Sequence, residues 1–142
     1  MNTQASERRI DVFFYGLFMD VSILRQSGVT PVNPRPAYVA DFAIRIGQRA
    51  TLVPLSGARA YGMIVALSRS NLERLYAAAG LEQYRPEAVL AHIIEGLTVP
   101  ALCYNLRQGP QPGERNPEYV MRLQSVLRNL GFAREYIESI GE

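Results

Sequence analysis

The sequence contains no lysine and no tryptophan, and it has one histidine (His92) and one cysteine (Cys103). All 15 of its basic residues are arginine. Without lysine there is no residue for a Schiff base or for the lysine of a phosphate-binding loop. A single cysteine and a single histidine exclude an intrachain disulfide, a zinc finger and a Cys/His zinc site. Carboxylates, tyrosines, arginines and backbone amides therefore remain as the working groups, and a Ser-His-Asp triad would have to use His92.

The overall composition is typical of a globular domain, with 48% hydrophobic and 20% charged residues. The net charge is only +2 and the arginines are scattered, so we expect no nucleic-acid partner. Apolar runs such as 63–67 fall well short of the ~20 residues of a membrane span. The polar N-terminus also lacks the apolar stretch of a secretion signal. These features predict a cytoplasmic protein without a membrane partner, and they leave its oligomeric state open.

The first part of the chain predicts strands joined by turns. Residues 1–9 are expected to form a loose tail, and 10–142 a single domain. The β-branched and aromatic segment 10–15 is typical of a buried strand that ends at Gly16. Asp20 has the character of a helix N-cap, so a short helix should begin there and end near Gly28.

A proline-rich link over 31–36 is expected to lead into a strand, because apolar residues alternate with period two over 38–46. Two further strands are predicted at 50–54 and 60–67, with a turn at Ser56-Gly57 between them. A helix should follow, capped by Ser68 or Ser70 and stopped by Gly80.

The last part of the chain predicts a hairpin followed by helices. Strands are expected at about 87–94 and 98–105, joined at Glu95-Gly96. Asn116 followed by proline should cap a helix that runs to Gly131, with a last helix at 133–140. The predicted fold class is α+β: a small, mixed but mostly antiparallel β-barrel with flanking helices.

One segment has a pattern that suits ligand binding. In Tyr15-Gly16-Leu17-Phe18 a buried strand ends in glycine just before a helix start, an arrangement that aims several backbone amides into one concavity. Such a concavity binds carboxylates or phosphates. The alternative is a tight glycine turn with no ligand, and the residues alone do not decide between the two.

The segment also resembles the Tyr-Gly-(Ser/Thr)-Leu signature of the γ-glutamylcyclotransferase-like (AIG2-like) superfamily. Later segments resemble that family's motifs in the same order over about residues 10–140. They are Gly62–Leu67 (Gly-x-(Val/Leu)-(Tyr/Trp)-x-Leu), Tyr84–Val89 (Tyr-x-Arg-x-x-Val), Ala101–Tyr104, and Asn116–Tyr119 with Gly131 and Tyr136.

The resemblance implies a small barrel with a cavity and without a metal or organic cofactor. It implies that the amides of Tyr15–Phe18 hold the α-carboxylate of a γ-glutamyl compound, whose α-amine then attacks the γ-carbonyl to give 5-oxoproline. Holding the chain folded and removing one proton are the main requirements of this reaction. Two family tyrosines near the cavity correspond to Tyr104 and Tyr119, which aromatic packing alone would also explain.

The chain departs from the family at the catalytic base. The family's helix before the Tyr-x-Arg strand ends in a glutamate, and Ala79 occupies that position here. Leu17 replaces the serine or threonine of the loop, although its backbone amide is retained. The nearest other acid is Glu82, the substitute candidate for the base. The leading hypothesis is a protein that binds a γ-glutamyl or similar small carboxylate ligand without its usual base. Its alternatives are a non-catalytic sensor module and an acid/base enzyme that uses Glu82.

Overall fold

The computed structural model describes residues 8–78, 81–94 and 96–141. Within these ranges the chain forms five strands and four helices, with a 3₁₀ turn at Leu17–Met19 before the first helix. The strands are β1 (Arg9–Phe14), β2 (Val32–Ile46), β3 (Ala50–Ser68), β4 (Tyr84–Ile93) and β5 (Thr98–Leu106). The helices are α1 (Val21–Gln26), α2 (Arg69–Tyr76), α3 (Pro117–Leu130) and α4 (Arg134–Ser139).

The strands close into a barrel in the order β1-β3-β2-β4-β5. The pairs β1–β3, β3–β2, β2–β4 and β4–β5 are antiparallel, whereas β1 and β5 meet in parallel at Val12 and Leu102. The predicted α+β class and mixed, mostly antiparallel barrel are therefore confirmed. No helix in the described ranges is long and apolar enough to cross a membrane.

The predicted turn between two strands at 50–54 and 60–67 is wrong, because β3 is one strand of 19 residues. Gly57 has the positive φ of a turn residue (84°), but it lies in an irregular stretch of pairing with β2. The register shifts between Ala40 and Phe42, and Asp41 also has a positive φ, of 66°. The Asp41 carboxylate accepts a hydrogen bond from the Gly57 amide at 2.9 Å. Gly57 therefore lies in a β-bulge instead of a turn between two strands.

The predicted proline-rich link is also wrong in its extent, because β2 already begins at Val32. Its first residues are irregular, with a register shift between Val32 and Arg35 and a positive φ at Asn33. Proline is tolerated in such a strand start because its missing N–H breaks no regular ladder there.

The predicted helix caps are confirmed. Asp20 accepts a hydrogen bond from the Ser22 amide at 3.0 Å, and Asn116 accepts one from the Tyr119 amide at 3.1 Å. Of the two serines considered for α2, Ser68 is the cap. Helix α2 ends at Tyr76, and the predicted stop at Gly80 lies outside the described residues. Glu95 of the predicted hairpin turn and residues 1–7 of the predicted tail also lie outside the described residues. Arg9, which was expected to belong to the tail, pairs with Ser68 as the first residue of β1.

Alternate residues of β1 face two separate hydrophobic clusters. Phe13 and Tyr15 belong to a cluster inside the barrel, which also contains Val39, Ile64 and Cys103. Val12 and Phe14 face a second cluster, made with the helices through residues such as Leu24, Leu123 and Leu127. Because β1 is buried on both sides, it fixes the position at which the chain turns at Gly16.

Candidate functional site

A cavity of about 290 Å³ lies where β1 runs into the 3₁₀ turn. The Gly16–Phe18 loop forms one side of it. Aromatic rings make up much of the remaining wall, including Phe13 and Phe14 of β1. The tyrosines of the described wall are Tyr15, Tyr76, Tyr84, Tyr104 and Tyr119, and its charged residues are Arg49 and Arg122.

Two tyrosine hydroxyls of this wall donate to backbone carbonyls. The Tyr15 hydroxyl donates to the Tyr104 carbonyl at 2.7 Å, and the Tyr84 hydroxyl donates to the Ala50 carbonyl at 2.6 Å. Burial raises the pKa of both hydroxyls above the usual value, so both stay protonated at neutral pH. Since a phenol has one proton to donate, the oxygens of Tyr15 and Tyr84 can only accept from a ligand.

A third tyrosine, Tyr119, holds the loop itself. Burial raises the pKa of Tyr119 to about 12, while a hydrogen bond from the Leu17 backbone and the charge of Arg122 act in the opposite direction. The Tyr119 hydroxyl lies so close to Gly16 that a Cβ at Gly16 would come within 2.5 Å of it. A larger residue here would force the Tyr119 hydroxyl to shift, even though the φ of Gly16 is −113° and suits any residue.

An aromatic stack forms another side of the cavity. The rings of Tyr76 and Tyr104 are parallel within 10°, with centroids 4.0 Å apart. Phe18 meets Tyr76 edge to face at 6.1 Å, which joins the stack to the loop. Contacts of this kind fix ring orientation beyond simple burial, so the wall has a defined shape.

The described part of the wall carries two arginines and no carboxylate. Burial raises the pKa of Tyr84 and of Tyr119, and the charges of Arg49 and Arg122 respectively oppose this rise, so each cation lies within electrostatic reach of a wall hydroxyl. The cavity therefore favours an anion. In the same ranges, no group of three or more His, Cys, Asp or Glu side chains is placed to hold a metal ion.

Several solved structures share this fold over most of the chain. One described as a gamma-glutamyl cyclotransferase has a TM-score of 0.74 at 19% identity, and the match covers 93% of this chain and 88% of the other. An uncharacterized protein from Homo sapiens has a TM-score of 0.73 at 20% identity, over 94% and 89% of the two chains. An AIG2-like protein from Mus musculus has a TM-score of 0.55 at 15% identity, over 80% and 83%.

The chain has the γ-glutamylcyclotransferase-like fold. The resemblance predicted from the sequence motifs is thus confirmed at the level of the fold. Because the sequence identities are below 25%, these similarities concern the fold and not the activity. No protein-family model matches the sequence, and no curated protein matches it.

On this γ-glutamylcyclotransferase-like scaffold, the residues predicted to bind the ligand lie together. Tyr15, Gly16, Leu17, Phe18, Tyr104 and Tyr119 all line the cavity. Their role in binding remains a prediction, but a single cavity contains all of them although they are about 100 positions apart in the sequence.

The two positions predicted to bear on catalysis, 79 and 82, do not line the described part of the cavity. Ala79 lies outside the described residues. Glu82 is exposed in the turn before β4, and its backbone carbonyl accepts a hydrogen bond from the Arg85 guanidinium at 2.7 Å. The neighbouring Leu81 lines the cavity, whereas Glu82 is not among the described residues of the wall.

Sequence reasoning missed several residues of the wall, among them Tyr76, Tyr84 and Arg122. Tyr84 opens a motif of the family resemblance, and Tyr76 has the helical spacing of a packed residue, so a signal existed for both. Arg122 is one of many scattered arginines, and nothing in its sequence context indicates a cavity. Arg49, the other cation of the wall, is half-buried.

Proposed function

We propose that the protein binds a small amino-acid-like carboxylate, of the γ-glutamyl type, in the cavity at Tyr15–Phe18. The observation that carries the proposal is the polarity of the described wall. Its cations are arginines, the hydroxyls of Tyr15 and Tyr84 already donate to backbone carbonyls, and its described residues include no carboxylate. Such a wall complements a ligand with an anionic end and an ammonium end.

The anionic end of the ligand is assigned to the two arginines of the wall. Arg49 and Arg122 can each present a planar guanidinium, which pairs with a carboxylate through two parallel hydrogen bonds. Both line the cavity together with Gly16 and Leu17 of the loop. Because the described wall contains no acidic residue, a ligand carboxylate can pair with Arg49 and Arg122 without competition from the wall.

The ammonium end is assigned to tyrosines of the wall. The oxygen of Tyr15 accepts hydrogen bonds but has no proton to offer a ligand, because the hydroxyl already donates to the Tyr104 carbonyl. The stacked rings of Tyr76 and Tyr104 add aromatic faces, which attract a cation through their quadrupole. An α-amino group satisfies both preferences.

The proposal is binding in the first place, with turnover as a separate question. In 5-oxoproline formation the α-amine nitrogen bonds to the γ-carbonyl carbon, the amide C–N bond breaks, and the amine leaves with the proton that the nucleophile loses. A positioned base contributes about 10²- to 10⁴-fold to such a step. The described wall supplies no such base, and Ala79 occupies the position at which the resemblance places the catalytic glutamate. We therefore expect a binding protein or a slow enzyme.

A second candidate function is an enzyme that uses Glu82 as the base. What favours it is position, because Glu82 follows Leu81, a residue of the wall. This candidate requires that 5-oxoproline formation be measurable in the unaltered protein and be lost in Glu82→Gln.

The test of the proposed function is calorimetric titration of γ-glutamylglycine, γ-glutamylethylamide and glutamate, together with the shift in melting temperature that each produces. Ligands that bind only the native state raise the melting temperature. We expect binding that weakens about tenfold in Arg49→Gln, because Arg49 is half-buried, and about two- to fivefold in Arg122→Gln, because Arg122 is exposed. Arg45→Gln is the matched control, because Arg45 is exposed and lies outside the cavity.

Two results would decide against the proposal. One is the absence of binding and of any melting shift across the whole panel. The other is binding that both cavity variants leave unchanged. Release of 5-oxoproline, measured on the same samples, separates a binding protein from the Glu82 enzyme.

A further inference from the structure

The turn between β2 and β3 carries Arg49, the half-buried cation of the cavity wall. We call residues 47–49 the arginine turn. The Gly47 amide donates to the Arg49 carbonyl at 3.1 Å, so the turn closes on itself. Its three residues are glycine, glutamine and arginine, so it has no hydrophobic side chain to anchor it. Its position beside the cavity therefore depends on what its polar groups contact.

Side chains from distant parts of the chain hold both neighbours of Arg49. On one side, the Tyr84 hydroxyl donates to the Ala50 carbonyl at 2.6 Å. On the other, the side-chain amide of Asn116 donates to the Gln48 carbonyl at 3.1 Å. These contacts join residues that are 34 and 68 positions apart in the sequence. The backbone from which the Arg49 guanidinium extends is thus fixed by tertiary contacts.

The loop before α3 packs against the arginine turn. The Glu114 carboxylate accepts from the Gln48 amide at 3.0 Å and from the Gln111 amide at 2.9 Å. These two hydrogen bonds lower the pKa of Glu114, so the carboxylate is ionised at neutral pH. A Cβ at Gly47 would come within 2.5 Å of Glu114 and 2.6 Å of Pro110. The turn and the loop are therefore in close contact as well as hydrogen-bonded.

Asn116 differs from the other anchors because its amide binds two parts of the structure at once. Its oxygen accepts from the Tyr119 amide at 3.1 Å and caps α3, while its nitrogen donates to the Gln48 carbonyl. Helix α3 in turn carries the Tyr119 ring, whose hydroxyl receives a hydrogen bond from the Leu17 backbone. One side chain thus links the arginine turn to the helix that contacts the Tyr15–Phe18 loop.

We propose that Asn116 is a positioning residue of the cavity, which holds Arg49 in a fixed place relative to the Tyr15–Phe18 loop. The proposal rests on the proposed function, because it assumes that Arg49 binds the carboxylate of the ligand. Asn116 is not among the described residues of the wall, so it acts through Gln48 and Arg49. A turn that is already ordered improves affinity, because the ligand does not have to order it on binding.

Asn116→Ser separates the two hydrogen bonds of the side chain. Serine caps a helix about as well as asparagine does, but it lacks the amide that donates to Gln48. We expect calorimetry with γ-glutamylglycine to show affinity about two- to tenfold weaker than in the unaltered protein. This is the range expected when a ligand must itself order one side chain.

Gln124→Met is the matched control. The Gln124 side-chain amide also donates to a backbone carbonyl, that of Ile137, at 3.0 Å. Gln124 lies on α3 but outside the described residues of the wall. This substitution removes a comparable hydrogen bond without a change in net charge, so it should leave the affinity within twofold even if it lowers the melting temperature.

The measurement that distinguishes positioning from general stability is a double-mutant cycle on affinity. In Arg49→Gln the guanidinium is gone, so the place of the arginine turn no longer matters to the ligand. Asn116→Ser should then change the affinity less than twofold. A general structural role would weaken binding by the same factor in both backgrounds.

The positioning role and the proposed function fail in different ways. The role is overturned, and binding in the cavity stands, if Asn116→Ser keeps its affinity within twofold. It is also overturned if the loss is the same without Arg49, or if Gln124→Met shows an equal loss. If γ-glutamylglycine and the rest of the panel do not bind the unaltered protein, the proposed function is overturned and the role of Asn116 with it.

Discussion

The hydroxyl of Tyr119 packs directly against the backbone of Gly16, at the point where β1 ends and the candidate binding loop begins. A Cβ added to Gly16 would lie 2.5 Å from the Tyr119 oxygen and 3.8 Å from the ring carbon that bears it. The first distance is an overlap and the second is ordinary contact. One oxygen atom of α3 would thus have to shift to admit a side chain at position 16.

The first prediction follows from these two distances. We expect Gly16→Ala to lower the free energy of unfolding by about 1–3 kcal/mol, the usual cost of overpacking. Tyr119→Phe removes the overlapping atom, so the double variant should be more stable than the sum of the two single changes predicts. Urea unfolding of the four proteins measures this coupling. Simple additivity would show that the Tyr119 hydroxyl is not what excludes the methyl group.

The second prediction concerns Gly62, where the obstacle is backbone. A Cβ at Gly62 would overlap the carbonyl oxygen of Phe14, which belongs to the neighbouring strand β1 and cannot rotate away. We expect Gly62→Ala to cost about 3 kcal/mol or more in urea unfolding. The control is Gly57→Ala, which meets nothing within 4 Å and strains only a positive φ, at about 1 kcal/mol. Equal losses in the two variants would contradict this account.

The third prediction is a loss of stability at alkaline pH. Burial raises the pKa of Tyr119 and of Tyr136 to about 12 in the native protein, whereas an unfolded tyrosine titrates near ~10. Between these values the unfolded chain binds fewer protons than the native one, so stability falls as pH rises from about 10 to about 12. Below that window this contribution is fully present.

Urea unfolding at a series of pH values measures the effect, with tyrosinate absorbance reporting ionisation. Phenylalanine at position 119 or 136 removes one of the titrating groups, so each variant should show a shallower decline than the parent. A decline of the same steepness in both variants would mean that other groups cause it.

The fourth prediction addresses the missing base. Ala79→Glu places a carboxylate where the resemblance to γ-glutamylcyclotransferase-like sequences puts the catalytic glutamate. We expect 5-oxoproline release from γ-glutamylglycine to increase by about 10²- to 10⁴-fold, with little change in affinity. Ala78→Glu is the control, because it adds the same charge one position away. A gain shared by both variants, or by neither, would count against position 79 as the place of the base.

The local parts of the fold were predictable from the sequence because local chemistry determines them. Asp20 and Asn116 cap their helices, since a short polar side chain satisfies amides two or three residues away. Gly131 ends α3 with a φ of +85°, a conformation that glycine adopts without strain. The strand before Gly16 was equally evident from its β-branched and aromatic residues.

The prediction of two strands in place of β3 was wrong because long-range pairing decides the outcome there. Gly57 has the backbone of a turn residue, and only its bonding to Asp41 of β2 turns that feature into a bulge within one long strand. A glycine in a short window cannot show which partner strand will lie beside it.

The sequence by itself determined the stock of reactive groups, the class of the fold and the loop at Tyr15–Phe18, because composition, periodicity and ordered motifs are properties of the chain. Only the tertiary structure decided that Arg49 and Arg122 share one cavity with the tyrosines. Barrel closure brings these residues together from positions far apart in the sequence. Their separation along the chain does not indicate that they are close in space.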